Sequence, residues 1–259
     1  MTHDTSPSAE PAADGEAPPE AFLATLLAGF DLALADATPP ALHRALDLFA
    51  RALLLDETRP EPHLGLAICY ANLGDDRRAI RHFDTCLERG FGAGDYPELV
   101  YEYDDTDGQS WVVEIGLDRV LVWRAACHLA LESVEPARSD LARVSDSGDR
   151  DVQAEIAVLW TKIRLAEGDL EGAQRQLSRA LGLDPDQPDA HFVRGRIHEH
   201  RGNLRAALQA YSRAIRLDTE APEFRIARAR VYLASGQQRH AETDLRRAEA
   251  LLKRQLPQP

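Results

Sequence analysis

Much that would announce a specific chemistry is scarce in this chain. Only 6% of its 259 residues are aromatic and three are cysteine, and no apolar run approaches the roughly 18 residues of a membrane span. The cysteines, Cys69, Cys86 and Cys127, show no metal-type pairing. They fall in segments that read as helices, where a thiol packs as a small apolar group in a reducing cytoplasm. The first twenty residues contain no lysine or arginine but hold five acidic groups and four prolines. A secretory leader starts positive and turns apolar, so residues 1–19 are expected to form a disordered acidic arm. No nucleophile, base and orienting residue stand at mutually supporting positions, which argues against an enzyme, and no cofactor or metal is implied.

What is present is a period. Thirty-four residues separate Gly168 from Gly202, and the same interval leads to Gly236. It recurs through Ala173, Ala207 and Ala241, through Leu177, Tyr211 and Leu245, and through Ala180, Ala214 and Ala248. A period between twenty and fifty residues marks stacked units, each unable to bury its apolar face alone. Each unit reads as two antiparallel helices. In one copy the first runs from Ala190 to Arg201, Gly202 and Asn203 interrupt it, and the second runs from about Leu204 to Leu217. Small residues sit where helices approach closely and larger apolar ones fill the gap to the next unit, at the 3.6-residue period. Pro188 and Pro222 stand where a first helix begins, and the glycine after that helix can end it with a positive φ.

These residues resemble the tetratricopeptide repeat family, which has small residues at its eighth, twentieth and twenty-seventh positions and larger ones at the eleventh and twenty-fourth. In the unit from 188 the matches are Gly195, Ala207, Tyr211 and Ala214, with His198 at the eleventh place. In the unit from 222 they are Ala229, Tyr232, Ala241, Leu245 and Ala248. The unit from 154 offers Gly168, Ala173, Leu177, Ala180 and Pro185, and the unit from 60 offers Ala67, Tyr70, Gly74, Ala79 and Phe83, with Cys86 replacing the last alanine. Ala45, Phe49 and Ala52 lie thirty-four residues earlier. A degenerate copy from Asp118 has Ala125, His128, Ala137, Leu141 and Val144. The resemblance implies an all-α fold, an α-solenoid of about six helix pairs. The expected divisions are repeats 1 and 2 over 20–93, an acidic and aromatic insertion over 94–117, repeat 3 over 118–153, repeats 4 to 6 over 154–252 and a tail over 253–259.

The insertion obeys no repeat. Leu99, Tyr101 and Tyr103 alternate with Val100, Glu102 and Asp104, and Trp111, Val113 and Ile115 alternate after Asp107-Gly108. Two period-two runs around an Asp-Gly predict a short β-hairpin after the second repeat, which must dock because an isolated ribbon is marginal in water. The rival reading extends the next helix backward from about Val113. Asp105, Asp107, Gly108 and Glu114 match part of a calcium loop, but Tyr103 holds the place of the first carboxylate. Gly90, Gly92 and Gly94 have no preceding strand and no following lysine, so they read as the exit of the second repeat rather than a phosphate cradle. His198 and His200 lie two apart on one helix and face different directions, a poor metal pair.

Charge is uneven along the chain. Residues 1–118 carry 7 basic and 23 acidic groups, net −16; residues 119–187 carry 9 and 12, net −3; residues 188–259 carry 14 and 8, net +6. In the family the resemblance suggests, first helices line a concave groove, and the ninth positions of the last three units are Lys162, Arg196 and Arg230. Adjacent helices would place these cations about 10 Å apart. Val158, Leu165, Phe192, His200, Ile226 and Leu233 fall on the same face by that carry-over. Arg194 and Arg228, one place before the small residue, read as structural, packing their stems and pairing locally. The Lys and Asn set with which chaperone-binding members hold a terminal carboxylate is not reproduced.

The leading expectation is therefore a non-enzymatic, cytoplasmic interaction scaffold that binds an acidic or mixed acidic and apolar peptide in the groove of its C-terminal half. A second expectation is a self-assembling homo-oligomer. Family members close with a solvating helix, whereas only seven residues follow Leu252, so Leu245, Leu251 and Leu252 would present apolar surface to another copy. No membrane partner is expected, and the overall acidity with few groove aromatics disfavours nucleic acid.

Overall fold

The computed structural model describes residues 20–96, 98–104, 110–144 and 149–255, with the backbone alone at 101–104, 110, 111, 113 and 255. The expected acidic arm, and Asp105, Asp107 and Gly108 of the calcium-like pattern, lie outside the described residues. Among the described residues twelve helices form six pairs: α1 (Glu20–Phe30) with α2 (Pro39–Leu55), α3 (Glu61–Asn72) with α4 (Asp76–Glu88), and α5 (Leu117–Ala130) with α6 (Val134–Arg143). The series continues with α7 (Arg150–Ala166) and α8 (Leu170–Leu183), α9 (Pro188–His200) and α10 (Leu204–Leu217), and α11 (Pro222–Ala234) and α12 (Gln238–Gln255). The first helix runs on through a wider π-type turn, Asp31–Asp36.

Several boundaries have a local cause. Pro188 and Pro222 occupy the first turns of α9 and α11, where a missing N–H costs nothing. The Asp149, Asp169 and Asp75 carboxylates accept backbone N–H groups that open α7, α8 and α4. Four of the turns inside pairs rest on a glycine at the same place in the unit, Gly74, Gly168, Gly202 and Gly236, with φ between 71° and 78°. The degenerate third unit holds Glu132 there, at φ 59°, a left-handed conformation that a side chain disfavours.

The stack is held by one recurring side chain, the twenty-fourth of each unit. Phe49, Phe83, Leu141, Leu177 and Tyr211 are all buried. The neighbours are cut to fit them: a Cβ on Gly65 of α3 would come within 2.3 Å of the Phe49 ring, and one on Gly195 within 2.4 Å of the Tyr211 ring. The core is accordingly a chain of clusters, each shared by neighbouring pairs, rather than one centre. The three thiols lie inside it, and burial pushes Cys69 and Cys86 up to about 12.

Between the second and third pairs the expected hairpin is present. Strand β1 (Glu98–Asp104) pairs antiparallel with β2 (Ser110–Gly116), setting Leu99 opposite Ile115, Tyr101 opposite Val113 and Tyr103 opposite Trp111. It docks through Ile115, which is buried, and Leu99, which packs on the same core. Helix α5 begins at Leu117, so the rival backward extension from Val113 is not what forms. The side chains of Tyr101, Tyr103 and Trp111 lie outside the described residues.

Two histidines of the second pair meet inside the fold. His63 and His82 share one hydrogen bond between their Nδ1 atoms at 3.0 Å, and His82 stacks on Tyr70. Burial, aided by Arg89 and the partner ring, holds His63 down at about 4, and burial lowers His82 as well.

Glu132→Gly is expected to stabilise the chain by about 1 kcal/mol, seen as a higher urea midpoint, because it relieves the left-handed strain; an unchanged or lower midpoint refutes this. His63 favours its neutral form when folded, so its contribution is complete above the unfolded value of about 6.5 and is lost as pH falls towards about 4. Between pH 7 and pH 5, His63→Gln should therefore lose about 1 kcal/mol less stability than the unaltered chain, read from urea midpoints at the two pH values.

Candidate functional site

Helix α5 adjoins α7 and α7 adjoins α9, forming an inner face that Arg230 of α11 reaches through Glu199. Charged side chains staple that face from one helix to the next. Arg119 of α5 donates to Glu155 of α7 at 3.0 Å, and Lys162 of α7 to Asp189 of α9 at 2.9 Å. Arg230 of α11 grips both oxygens of Glu199 on α9, each at 2.9 Å. Glu199 also accepts the Tyr211 hydroxyl at 2.7 Å. Burial pulls the Glu199 carboxyl upward, but the hydrogen bonds from Arg230 and Tyr211 outweigh it and hold it below the usual range.

The three cations anticipated from the ninth positions thus differ. Lys162 and Arg230 are neutralised by carboxylates on α9, whereas Arg196 makes no ion pair among the described residues. Arg196, Glu199, His200 and Arg230 line one open hollow of about 370 Å³. Counting cations alone missed Asp189 and Glu199, which occupy inward positions of the same unit and were legible there.

The apolar part of the anticipated groove is corrected. Val158 and Leu165 are buried in the cluster that α7 and α8 form with α9, and Phe192 stacks on Phe224 of α11 with ring centroids 4.9 Å apart. At these three positions the next pair covers the side chain, because the fifth and twelfth residues lie seven apart on the margin of the inner face that the next helix approaches. Ile226 and Leu233 hold the same positions in the last pair and are exposed. Leu251, grouped with Leu245 and Leu252 as terminal apolar surface, is buried instead. A second hollow, of about 360 Å³, went unnoticed in the acidic half. Leu34, Ile68, Ala71, Trp123, Ala126 and Cys127 line it, and the signal was small and apolar residues at ninth positions, where later units place cations.

The arginines read as structural sit on the other side of the first helices. Arg228 clasps Asp244 of α12 with two bonds of 2.7 Å and reaches Ser212 of α10 at 2.9 Å. Arg124, at the equivalent place, clasps Asp140 at 2.9 and 2.5 Å and reaches Asp84 of α4 at 2.7 Å. Arg194 occupies the same place in the fifth pair, but Ala210 replaces the aspartate. It has no ion pair or hydrogen bond among the described residues, and burial and nearby Arg213 lower its pKa.

Comparison with known proteins places this architecture. A family model described as tetratricopeptide repeat matches residues 162–222. No curated protein matches the chain. Among solved structures, a tetratricopeptide repeat protein from Parabacteroides merdae is similar with a TM-score of 0.61 and 16% identity, over 94% of this chain and 87% of that one. A thermophilic TPR protein from Thermus thermophilus gives 0.52 and 22% over 75% and 92%. IFIT1, solved as a monomeric mutant with Gppp-AAAA, gives 0.57 and 15%; the match covers 81% of this chain but only 46% of that one. At these identities the likeness is one of fold, that of a tetratricopeptide repeat solenoid. No helix among the described residues is long and apolar enough to cross a membrane.

Ala210→Asp should restore the missing clasp on Arg194 and raise stability by about 1 kcal/mol, whereas Asp244→Ala should cost about 3 kcal/mol by stranding Arg228. Urea unfolding of both variants checks this, and a destabilised Ala210→Asp would show that Arg194 does not share the geometry of its two counterparts.

Proposed function

We propose that this tetratricopeptide repeat solenoid is a non-enzymatic protein–protein interaction scaffold whose inner face, in the C-terminal half, holds an acidic peptide or the acidic surface of a protein partner. The observation that carries the reading is the hollow between α9 and α11, where Arg196, His200 and Arg230 converge and Arg196 is without an ion pair among the described residues. A guanidinium in that condition can take a ligand carboxylate through two parallel bonds, the strongest polar contact available at such a surface. A ligand acid reaching Arg230 competes with Glu199, which on displacement keeps the hydrogen bond from the Tyr211 hydroxyl. Lys162, tied to Asp189, extends the positive row by one helix.

The ligand on this reading is acidic, and its apolar component loses support, because Val158, Leu165 and Phe192 are committed to packing between pairs. The buried thiols fit a reducing compartment and support the cytoplasm as the place of action. The interaction is surface chemistry: charge-assisted hydrogen bonds on a rigid helical row, with no covalent step.

A fluorescent oligoglutamate peptide is the direct probe. Arg196→Glu should weaken its binding at least about tenfold with helix content intact, and Glu199→Gln, which frees Arg230, should strengthen it. Equal affinity across the three proteins, or tighter binding of single-stranded RNA than of the peptide, would overturn the reading.

A further inference from the structure

The last helix pair carries a docking face that earlier pairs fill with their own successor. In α7 and α8, Val158, Leu165 and Leu177 are 2%, 5% and 1% exposed, because α9 lies on them. Two repeat lengths later Ile226, Leu233 and Leu245 occupy the same three places in α11 and α12, and they are 43%, 54% and 43% exposed. Leu252, two turns beyond Leu245 on α12, adds a fourth exposed side chain. The shape of what fits is therefore set by the chain itself: an amphipathic helix lying as α9 lies on α7 and α8.

The chain also presents such a helix. At the opposite end of the stack α1 exposes Leu23 and Leu27, one helical turn apart, on a pair that has no predecessor among the described residues. Every internal junction joins the trailing face of one pair to the leading helix of the next, so these two surfaces are the unmatched halves of one such junction. Charge agrees. Through residue 43 the chain holds seven acidic groups and no lysine or arginine, whereas residues 188–259 are net +6. Around the exposed leucines α12 displays Arg239, Arg246, Arg247, Lys253 and Arg254 against the exposed carboxylates Glu242 and Glu249, which pair with Arg246 and Lys253, so this surface keeps a positive excess. Two tail faces brought together would repel, whereas a head meeting a tail attracts.

We propose that this face binds the α1 end of a second copy, so that protomers stack head to tail and continue the solenoid from one chain into the next. The two surfaces differ, so the contact is heterologous and association grows with concentration instead of stopping at a symmetric dimer. The proposal is independent of the acidic ligand in the groove, since Arg196 takes no part in it.

Sedimentation velocity of the full chain at low salt, over a wide concentration range, reads the outcome. The mass should rise above one chain and keep rising, and added salt should lower it. The head variant Leu23→Glu/Leu27→Glu and the tail variant Ile226→Glu/Leu245→Glu replace exposed side chains, so both should keep their helix content by circular dichroism. Each alone should stay at the mass of a single chain. Mixed in equal amounts they should form a two-chain species and nothing larger, because each retains the surface that the other has lost. Arg196→Glu should associate like the unaltered chain, which separates this result from the fate of the groove reading. A chain that stays single at every concentration overturns the proposal. So does a head variant that associates by itself, or a mixture that remains at single-chain mass.

Discussion

One apolar side chain per unit, at the twenty-fourth place, cannot be buried by the helix pair that carries it. Phe49, Phe83, Leu141, Leu177 and Tyr211 each wait for the next first helix to close over them. That dependence makes the molecule a row rather than a globule: every pair stabilises its neighbour, and nothing packs on a common centre. It also accounts for Gly65 on the next first helix, where a methyl group would collide with the Phe49 ring, while Gly195 makes the same room for Tyr211 within its own pair. The same constraint leaves Leu245, at the twenty-fourth place of the sixth described pair, open to solvent.

Charged groups play two separate parts on the two sides of the first helices. Between the second helices, Arg124 and Arg228 are clasped by aspartates that are themselves buried, so the pairs fix the spacing of neighbouring helices and offer nothing to a ligand. On the inner face the pairs are more open and join helices of different units, as Lys162 does with Asp189 and Arg230 with Glu199. Arg196 stands between the two cases: on the inner face, near Glu199, and not ion-paired to it.

Much of this was readable before any coordinates. The thirty-four-residue interval placed the helix pairs, the glycine turns and the side chains that join one pair to the next, and the alternation around Asp107-Gly108 placed the hairpin. The reading of the groove was less complete. Carrying over inward positions one residue at a time singled out Lys162, Arg196 and Arg230 without the carboxylates that meet two of them, and it grouped with them Val158, Leu165 and Phe192, which pack between pairs. The difference is small in angle: a fifth or twelfth residue lies at the margin between the inner face and the junction, and only the approach of the next helix decides which it serves.

By itself the sequence determined what repeats every thirty-four residues, because periodic burial and turn chemistry are local to each unit and survive without knowledge of the whole. It also determined the charge gradient from one end to the other. Tertiary structure alone decided which cations have a carboxylate within reach, since Lys162 meets Asp189 twenty-seven residues away and Arg230 meets Glu199 thirty-one away, across helices whose relative rotation no local pattern encodes. It alone decided, too, that Leu245 lies open to solvent while Leu177, its counterpart two units earlier, is sealed, for exposure belongs to the neighbour that comes to cover a residue and not to the residue itself.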